Sequence, residues 1–469
     1  MGDSPALNTK FTPNCTDRFH FIGIGGIGMS AIAYILVKRG YQVSGSDISS
    51  NRGTDQLQKL GVTIYHGQSA ENIDLNSAPQ VVYSSAIKPN NPELQIAQAH
   101  NLTLWHRSDL LARLIKEHHS IAVAGTHGKT TTSSLVAFLL LQGGLDPTII
   151  VGGEVEAWSG NARVGNGTYL VAEADESDGS FVKFYPHVGV VTNIELDHPD
   201  HYHSLEEVIH TFQEFASHCQ VLVACLDCPT TKAVLTPHIT YSLHDRSADY
   251  TVKAVYYGGD HTKAVLVEKG EVLGEFRLHL LGAHNLSNAL ASIAIARHLG
   301  LDWQTIQTAL PQFQGAKRRF EVRAQCQGIT LVDDYAHHPS ELKVTLSAAK
   351  LQGRRVIAVF QPHRYSRTHA LLDQFATAFD SADMVVITDI YGAGETKLDH
   401  LSGHTLAELV KVHHPQVYYC PLVADVPQFL QKYVCTGDLV LFLGAGNLNQ
   451  AIAPTAELLH TFTQAQLNA

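Results

Sequence analysis

The sequence predicts an α/β protein of three domains, each built on a mostly parallel sheet. The chain has 469 residues, about three times the usual size of one domain. Apolar, β-branched segments alternate with helix-length segments along its whole length. Three of these apolar segments, near residues 19, 120 and 329, begin units in which strands lead into Gly-rich or polar loops, a pattern typical of strand-to-helix turns at ligand sites.

We place the domain boundaries at residues 1–118, 119–315 and 316–469. After the three opening strands, further strands are predicted at 41–45, 81–86, 169–172, 188–192, 356–360, 384–388 and 439–443. Because helix-length segments separate them, the strands are expected to be mostly parallel and covered on both faces.

Composition excludes several classes of protein. A hydrophobic fraction of 45% with 16% charged residues is that of a folded chain with a large interior. The balance of 33 Lys+Arg against 44 Asp+Glu, a net charge of -11, argues against a nucleic-acid partner. The apolar segment 135–141 is shorter than the roughly 18 residues that span a bilayer, and the N-terminus lacks signal-peptide features. We expect a cytoplasmic protein without a membrane partner, either a monomer or a homodimer.

The seven cysteines are odd in number and scattered, so we predict free thiols. Cys225-x-x-Cys228 has the spacing of half a zinc or redox site, but no second pair follows it. The surrounding segment 221–226 is apolar and typical of a buried strand. We therefore interpret this pair as part of the core.

The first glycine loop, Gly23-x-Gly25-x-x-Gly28, lies between a predicted strand and a predicted helix. Its amides and the helix N-terminus can face a diphosphate, and Asp47 lies where a ribose-binding acid is expected. The motif does not distinguish NAD, FAD and a UDP-sugar. The structural alternative is a turn that lets strand and helix pack closely.

A second glycine loop contains Gly125, Gly128, Lys129 and Thr130 between an apolar strand and a helix. Amides, an ammonium and a hydroxyl at this spacing predict a site for a nucleoside triphosphate and magnesium. Val123 stands where the usual motif has its first glycine. The alternative is a helix start capped by threonine, with a solvated lysine.

Polar groups follow the strands of the central and third domains. Glu173 begins an acidic segment directly after 169–172, and His198 lies in a second such segment after 188–192. These groups suit magnesium at the carboxyl edge of a sheet, and a solvated acidic loop is the alternative. Asn285 and Asn288 suit an adenine edge or a helix cap. Arginine and histidine recur at 318–321, 333–339 and 361–368, which indicates an anion site or surface ion pairs.

Taken in order, the segments GIGGIGMS, GTHGKTTT, EADESDGSF, HNLSNA, DDYAHHPSE and QPHRYSRT resemble the muramyl peptide (Mur) ligases. The match runs from Gly23 to Asn447. The resemblance implies a Rossmann-like UDP-binding domain, a P-loop-type ATPase domain and a Rossmann-like C-terminal domain. It implies ATP-dependent ligation of L-alanine to UDP-N-acetylmuramate through an acyl phosphate, with Mg²⁺ or Mn²⁺. That reaction serves peptidoglycan synthesis, and through it cell-wall biogenesis, cell shape and cell division.

The resemblance also implies roles for individual residues. The UDP-sugar would bind at Gly23, Gly25, Gly26, Gly28, Met29, Ser30, Asp47, Ser84 and Ser85. ATP would bind at Gly125, Thr126, His127, Gly128, Lys129, Thr130, Thr131, Asn285, Asn288, Arg319 and Asp334. One magnesium would bind Thr130 and Glu173, and a second would bind His198. The amino acid and the substrate carboxylate would bind Tyr335, His337, His338, Arg364 and Arg367. Catalysis would depend on Lys129, Glu173, His198 and Arg319.

Three alternatives stay open from the residues. A nicotinamide-dependent dehydrogenase would use the first glycine loop, but it leaves the loop at Lys129 without a role. An ATP-driven regulatory or motor protein would use only the second loop. A Mur ligase that adds another amino acid would share the phosphate chemistry, and the sequence does not assign the group that deprotonates the amine.

Overall fold

The computed structural model describes residues 17–461 of the chain. Their strands form three sheets, one after another along the chain, which confirms the predicted three-domain α/β architecture with mostly parallel sheets. Cys15 and the N-terminal segment that bears on a signal peptide lie outside the described residues. None of the helices within 17–461 combines the length and apolar character needed to cross a bilayer.

The first sheet has five strands: β1 (Arg18–Ile22), β2 (Gln42–Asp47), β3 (Thr63–His66), β4 (Gln80–Tyr83) and β5 (Leu104–His106). All are parallel, in the spatial order β3-β2-β1-β4-β5. The helices are α1 (Ile27–Lys38), α2 (Arg52–Lys59), α3 (Pro92–Ala99) and α4 (Arg107–Lys116). The last four residues of β1 are buried, as expected for a central strand covered on both faces.

The central sheet has ten strands: β6 (His119–Ala124), β7 (Thr148–Val155), β8 (Gly160–Arg163), β9 (Tyr169–Glu173), β10 (Val188–Val191), β11 (Val221–Cys225), β12 (Ile239–Tyr241), β13 (Tyr250–Tyr257), β14 (Thr262–Glu268) and β15 (Glu271–Leu278). Its helices are α5 (Lys129–Gln142), α6 (Leu205–Ser217), α7 (Pro229–Val234), α8 (Ala283–His298) and α9 (Trp303–Ala309). The order β11-β10-β6-β9 at its centre is parallel, so the loops that follow these strands meet at one edge.

Antiparallel strands extend both ends of the central sheet, and the apolar pattern does not predict them. β8 pairs with β7 at one end, and β13, β14 and β15 form a meander at the other. Only two of the eight residues of β15 are buried, so its sequence lacks the continuous apolar run of a central strand. Lys269 and Gly270, with φ of 49° and 86°, form the two-residue hairpin turn between β14 and β15.

The third sheet has six strands: β16 (Glu321–Cys326), β17 (Ile329–Asp334), β18 (Val356–Phe360), β19 (Met384–Ile387), β20 (Val417–Tyr419) and β21 (Leu439–Leu443). Their order is β16-β17-β21-β18-β19-β20, with only β16 antiparallel to its neighbour. The helices are α10 (Pro339–Lys350), α11 (Tyr365–Ala370), α12 (Leu372–Ala376), α13 (Gly403–His413), α14 (Val426–Tyr433) and α15 (Ile452–His460).

Helix α5 accounts for the apolar segment at 135–141. Its residues 130–140 are buried, because the helix belongs to one core cluster with the central sheet and α8. A helix covered on more than one side is apolar all round. The segment is therefore the central helix of this domain, and it places Lys129 and Thr130 at the edge where β6 ends.

The cysteines of the described chain are free, as predicted. Cys225 is the last residue of β11 and is buried, and burial raises the pKa of its thiol. A raised pKa leaves little thiolate at Cys225, which fits its interpretation as a core residue; Cys228 is half-buried.

Candidate active site

One cleft of about 1250 Å³ opens where the three domains meet. It gathers predicted site residues from all three: Gly28, Ser84, Ser85, Thr126, Gly128, Lys129, Thr130, Glu173, His198, Arg319, Tyr335, His337, Arg364 and Arg367. The remaining predicted residues are not part of its lining: Gly23, Gly25, Gly26, Met29, Ser30, Asp47, Gly125, His127, Thr131, Asn285, Asn288, Asp334 and His338. Apart from the exposed Gly26, these residues are half-buried or buried, and their contacts show what they do there.

The second glycine loop ends at Gly128, from which α5 begins without a side-chain cap. The interpretation as a threonine-capped helix start is therefore wrong. Gly125 and Gly128 have φ of 134° and 81°, and a Cβ on them would lie 1.9 Å from Thr192 Oγ1 and 2.4 Å from Asn288 Oδ1. Glycine is required at both positions, and the uncapped amides of α5 face the cleft as an anion site.

Lys129 is folded back into this loop. Its ammonium donates to the carbonyls of Gly125 and Thr126 at 2.7 and 3.1 Å and to Glu176 Oε1 at 2.8 Å. Burial alone would lower the pKa of Lys129, but Glu176 and Glu173 raise it above its ordinary value. The interpretation as a solvated lysine is wrong, because the side chain is only 14% exposed and its ammonium forms an ion pair with Glu176.

Thr130 and Glu173 bring two side-chain oxygens together beside Lys129. Thr130 Oγ1 donates to Glu173 Oε2 at 2.9 Å, and Gly152 N donates to the same oxygen at 2.8 Å. Neighbouring ligands of an octahedral magnesium ion lie about 3 Å apart, so this spacing fits one coordination sphere. Burial raises the pKa of Glu173 in spite of Lys129 and Thr130, as expected for a carboxylate that lacks a full positive partner.

His198 and Lys129 both lie close to Oε1 of Glu176. Its Nε2 is 3.7 Å from Glu176 Oε1 and 3.7 Å from Asp197 Oδ2. Burial alone would lower the pKa of His198, but these two carboxylates raise it. A hard divalent ion prefers oxygen ligands, so an imidazole with two carboxylates beside it suits such an ion better than an imidazole alone. His198 also has φ of 54°, a strained conformation that tends to occur at functional sites.

The third domain supplies guanidinium groups to the far wall of the cleft. Arg367 is 2% exposed and donates from Nε to Asp197 Oδ1 at 2.8 Å. Arg364 Nη1 donates to Asp200 at 3.1 Å and to Glu395 at 3.3 Å. Arg319 lies over the ring of Tyr335, 5.2 Å from its centroid. Because Arg367 is buried, surface ion pairing does not describe it.

The histidines that follow β17 differ in their positions. His337 lines the cleft, and its Nδ1 donates to Tyr335 O at 2.9 Å, which leaves Nε2 as an acceptor. Burial lowers the pKa of His337 to about 3, so the ring is neutral. His338 is 2% exposed, and its Nδ1 accepts from Ser340 N at 3.3 Å. His338 is therefore the N-cap of α10 and lies away from the cleft surface.

The first glycine loop is braced from behind by Asp47. Gly25 N donates to Asp47 Oδ2 at 2.8 Å, and Ser49 N donates to Oδ1 at 3.1 Å, so this carboxylate holds the loop. A contact between Asp47 and a ribose stays a prediction. Met29 and Ser30 have buried side chains, which leaves only their main chain near a ligand. Gly26 is the N-cap of α1 and has no side chain to cap the helix, so the first amides of α1 suit a diphosphate.

The predicted adenine residues lie at the start of α8, with Asn288 next to Gly128, and the predicted ribose residue, Asp334, ends β17. Asn285 donates to Leu281 O at 2.8 Å, and Asn288 accepts from Thr132 Oγ1 at 3.2 Å. Neither caps α8, whose N-cap is Gly282, so the capping alternative is wrong. Asp334 accepts from the amides of Phe320 and Ala336, and burial raises the pKa of its carboxyl to about 6. In this structure these polar groups are satisfied within the protein.

His127, Glu195 and His338 form a compact cluster between the central and third domains, with one potential ligand atom from each within 4.8 Å. Both ring nitrogens of His127 face carboxylates, Glu195 and Glu341, at 3.3 Å. Burial alone would lower the pKa of His127, but these acids raise it to about 10. In this structure the cluster is an ion-pair bridge between the two domains.

Three family models match consecutive parts of the chain. They are the Mur ligase family catalytic domain at residues 18–119, the Mur ligase middle domain at 123–296 and the Mur ligase glutamate ligase domain at 318–446.

The chain belongs to the Mur ligase family. The UDP-N-acetylmuramate--L-alanine ligase of Microcystis aeruginosa is 56% identical over 450 residues, which cover 92% of this chain and 94% of that protein. Its counterpart from Thermosynechococcus vestitus is 57% identical over 446 residues, with the same two coverages of 92% and 94%. The dehydrogenase alternative is not favoured by these matches.

Solved structures agree with this Mur ligase fold. The UDP-N-acetylmuramate-alanine ligase of Thermotoga maritima superposes with a TM-score of 0.82 at 30% identity, covering 94% of this chain and 98% of that one. A murein peptide ligase from Psychrobacter arcticus shares the fold with a TM-score of 0.70 at 24% identity, covering 95% and 99%.

The structure of this Mur ligase adds residues that sequence reasoning left without roles. Glu176 and Asp197 lie inside the acidic segments, where a buried carboxylate cannot be told from a solvated one by residue type alone. A Cβ added at Gly28 would lie 2.7 Å from Arg107 Nη1, so Arg107 borders the first glycine loop. Arg107 also donates to Asp175 at 3.3 Å. Burial would raise the pKa of Asp175, but Arg107 and Lys129 lower it to about 2.

Proposed function

We propose that this Mur ligase joins L-alanine to the carboxylate of UDP-N-acetylmuramate, with conversion of ATP to ADP and phosphate. The observation that carries the proposal is the single cleft in which the loop of Lys129 faces the arginines of the third domain. The relatives that are 52 to 57% identical and are named for the same reaction support it. The first glycine loop would hold the diphosphate of the UDP-sugar.

The chemistry follows from the charges in the cleft. The substrate carboxylate attacks the γ-phosphorus of ATP, ADP leaves, and an acyl phosphate forms. The alanine amine then attacks the carbonyl carbon, phosphate leaves, and an amide remains. Phosphoryl transfer depends mainly on positioning and charge neutralisation, which Lys129 and Arg319 would supply from opposite walls.

The residues present fit a divalent cation. Thr130 and Glu173 would hold one Mg²⁺ or Mn²⁺ ion. His198 would hold a second ion, with Glu176 and Asp197 beside the imidazole. When bound, the ion would neutralise phosphate charge. Arg364 and Arg367 would bind carboxylates, with the neutral ring of His337 next to them. Roles for Asn285 and Asn288 at adenine and Asp334 at the ribose stay predictions, as do a cytoplasmic location and a monomeric or homodimeric state.

The experiment is phosphate release from ATP with UDP-N-acetylmuramate, screened across free amino acids. We expect L-alanine to give the highest kcat/KM. A maximum with glutamate or a diamino acid would assign the protein to another Mur ligase reaction. Steady hydrolysis without any amino acid would indicate a regulatory or motor ATPase.

Ligand-induced thermal shifts provide an independent check on the first domain. We expect UDP-N-acetylmuramate to raise the melting temperature and NAD to leave it unchanged. The opposite result would favour a dehydrogenase.

A further inference from the structure

His127 belongs to the nucleotide loop, yet its side chain turns away from the cleft. Its main-chain N–H donates to Asn193 Oδ1 at 2.8 Å, and its carbonyl accepts from Thr192 Oγ1 at 2.6 Å. These two contacts hold the residue in the central domain. The imidazole, only 15% exposed, points into the boundary with the third domain.

The imidazole bridges the two domains. Nε2 lies 3.3 Å from Glu195 Oε2 of the central domain, and Nδ1 lies 3.3 Å from Glu341 Oε1 of the third domain. Contact with a carboxylate on each side requires both nitrogens to donate, so the ring is an imidazolium. A cation buried between two acids in this way resists separation of the domains.

Glu341 has a second function at the start of α10. Its other oxygen accepts from the amides of His337 and His338 at 3.0 and 3.3 Å, as the N3 residue of a capping box. His337 lines the cleft, at the wall assigned above to the amino acid. One carboxylate therefore holds both the side chain of the nucleotide loop and the turn that presents His337.

We propose that His127 is a positioning residue that couples the nucleotide loop to the amino-acid wall of the cleft through Glu341. Because these contacts join the loop to the turn at His337, a shift of the loop on nucleotide binding would move Glu341 and with it that turn. The inference rests on the proposed function, since it takes the wall at His337 to bind alanine. In this proposal the side chain of His127 acts at the domain boundary and not on the phosphates of ATP.

Two charge-neutralising variants test the coupling without removing the cap. Glu341→Gln retains the helix cap, because glutamine as well as glutamate serves at N3, but it loses the ion pair with His127. His127→Gln removes the same ion pair from the other side. At saturating ATP and UDP-N-acetylmuramate, we expect each variant to raise the KM for L-alanine about tenfold, the usual effect of losing a charged hydrogen bond. The affinity for a non-hydrolysable ATP analogue should change less than about threefold.

The double variant and a control on the same helix sharpen the test. Since one contact is removed in all three cases, His127→Gln with Glu341→Gln should raise the KM for L-alanine no more than either single change does. Lys350→Gln, which removes a surface ion pair with Asp383 at the far end of α10, should leave this KM within about twofold. Additive effects in the double variant, or a rise in the KM for ATP alone, would overturn the proposal.

Hydrogen exchange measures the coupling without relying on ligation. In the wild-type protein the ATP analogue should slow amide exchange in the first turn of α10, and in both single variants this protection should be lost. Protection that persists in both variants would refute the coupling. If wild-type protein releases no phosphate with alanine while the exchange pattern holds, the proposed function fails and the coupling stands.

Discussion

Asp197 accepts a hydrogen bond from Arg367 at 2.8 Å, although 170 residues separate them in the chain. Asp197 lies in the loop after β10 of the central domain, whereas Arg367 lies in α11 of the third domain. Both are less than 10% exposed. Burial would raise the pKa of Asp197, but Arg367 holds it well below its ordinary value, so the pair is charged and fastens the two domains at the cleft.

Asp197→Asn should destabilise the domain arrangement by about 3 kcal/mol, because it leaves the Arg367 guanidinium buried without a full partner charge. Urea unfolding of the variant measures the loss. Asp383→Asn, which weakens an exposed ion pair with Lys350, serves as the control and should cost less than about 1 kcal/mol. Equal losses of unfolding free energy in the two variants would show that burial does not strengthen the ion pair of Asp197 with Arg367.

Lys129→Ala should abolish ligation and leave binding of UDP-N-acetylmuramate nearly intact, because the two loops belong to different domains. It should also destabilise the protein by about 3 kcal/mol, since Glu176 loses its ammonium partner. Adding Glu176→Gln should restore much of the stability but not the activity. Phosphate release, calorimetric binding and thermal melting test these expectations, and measurable turnover by Lys129→Ala would exclude the assigned role.

Glu173→Gln should lower phosphate release more than about 100-fold, because the amide oxygen can still accept from Thr130 but carries no charge for a divalent ion. A titration with Mg²⁺ should show a higher half-saturating concentration in the variant. Wild-type protein treated with a chelator should lose activity and recover it with added Mg²⁺. An unchanged Mg²⁺ titration would remove Glu173 from the metal site.

Gly128→Ala should abolish nucleotide binding, because its Cβ would lie 2.4 Å from Asn288 Oδ1. Gly144→Ala is a matched control, since Gly144 has nearly the same backbone angle, φ of 75° against 81°, and no heavy atom within 4 Å of the added carbon. The control should cost only the backbone strain, about 1 kcal/mol, and keep its nucleotide affinity. Calorimetry with an ATP analogue distinguishes the two, and similar affinities would show that the crowding at Gly128 is harmless.

The His127 bridge should weaken as pH rises. The folded pKa of about 10 lies above the ordinary value of 6.5, so the stabilisation is complete below pH 6.5 and is lost as pH rises to about 10. The free energy of unfolding of wild-type protein should therefore exceed that of His127→Gln most at pH 6. The difference should shrink steadily toward pH 10. A difference independent of pH would mean that the ring is neutral.

Much of the site can be predicted from the chain because its parts are local. Gly125, Gly128 and Lys129 are neighbours in sequence, and the strand before them and the helix after them follow from apolar patterning. The antiparallel strand β15 escapes this reasoning because most of its residues remain partly exposed. The hydrogen bond from Gly25 N to the carboxylate of Asp47 also escapes it, because the two residues are 22 positions apart in the chain.

The sequence by itself determined the family, the three α/β units, their order and the two glycine loops, because each of these depends on residues close together in the chain. Only the tertiary structure decided which charges meet: Asp197 with Arg367, Lys129 with Glu176, and His127 with Glu341. Whether a charged side chain is solvated or paired depends on how much water the fold removes around it and on which distant group then lies within hydrogen-bond reach. Neither quantity is a property of neighbouring residues.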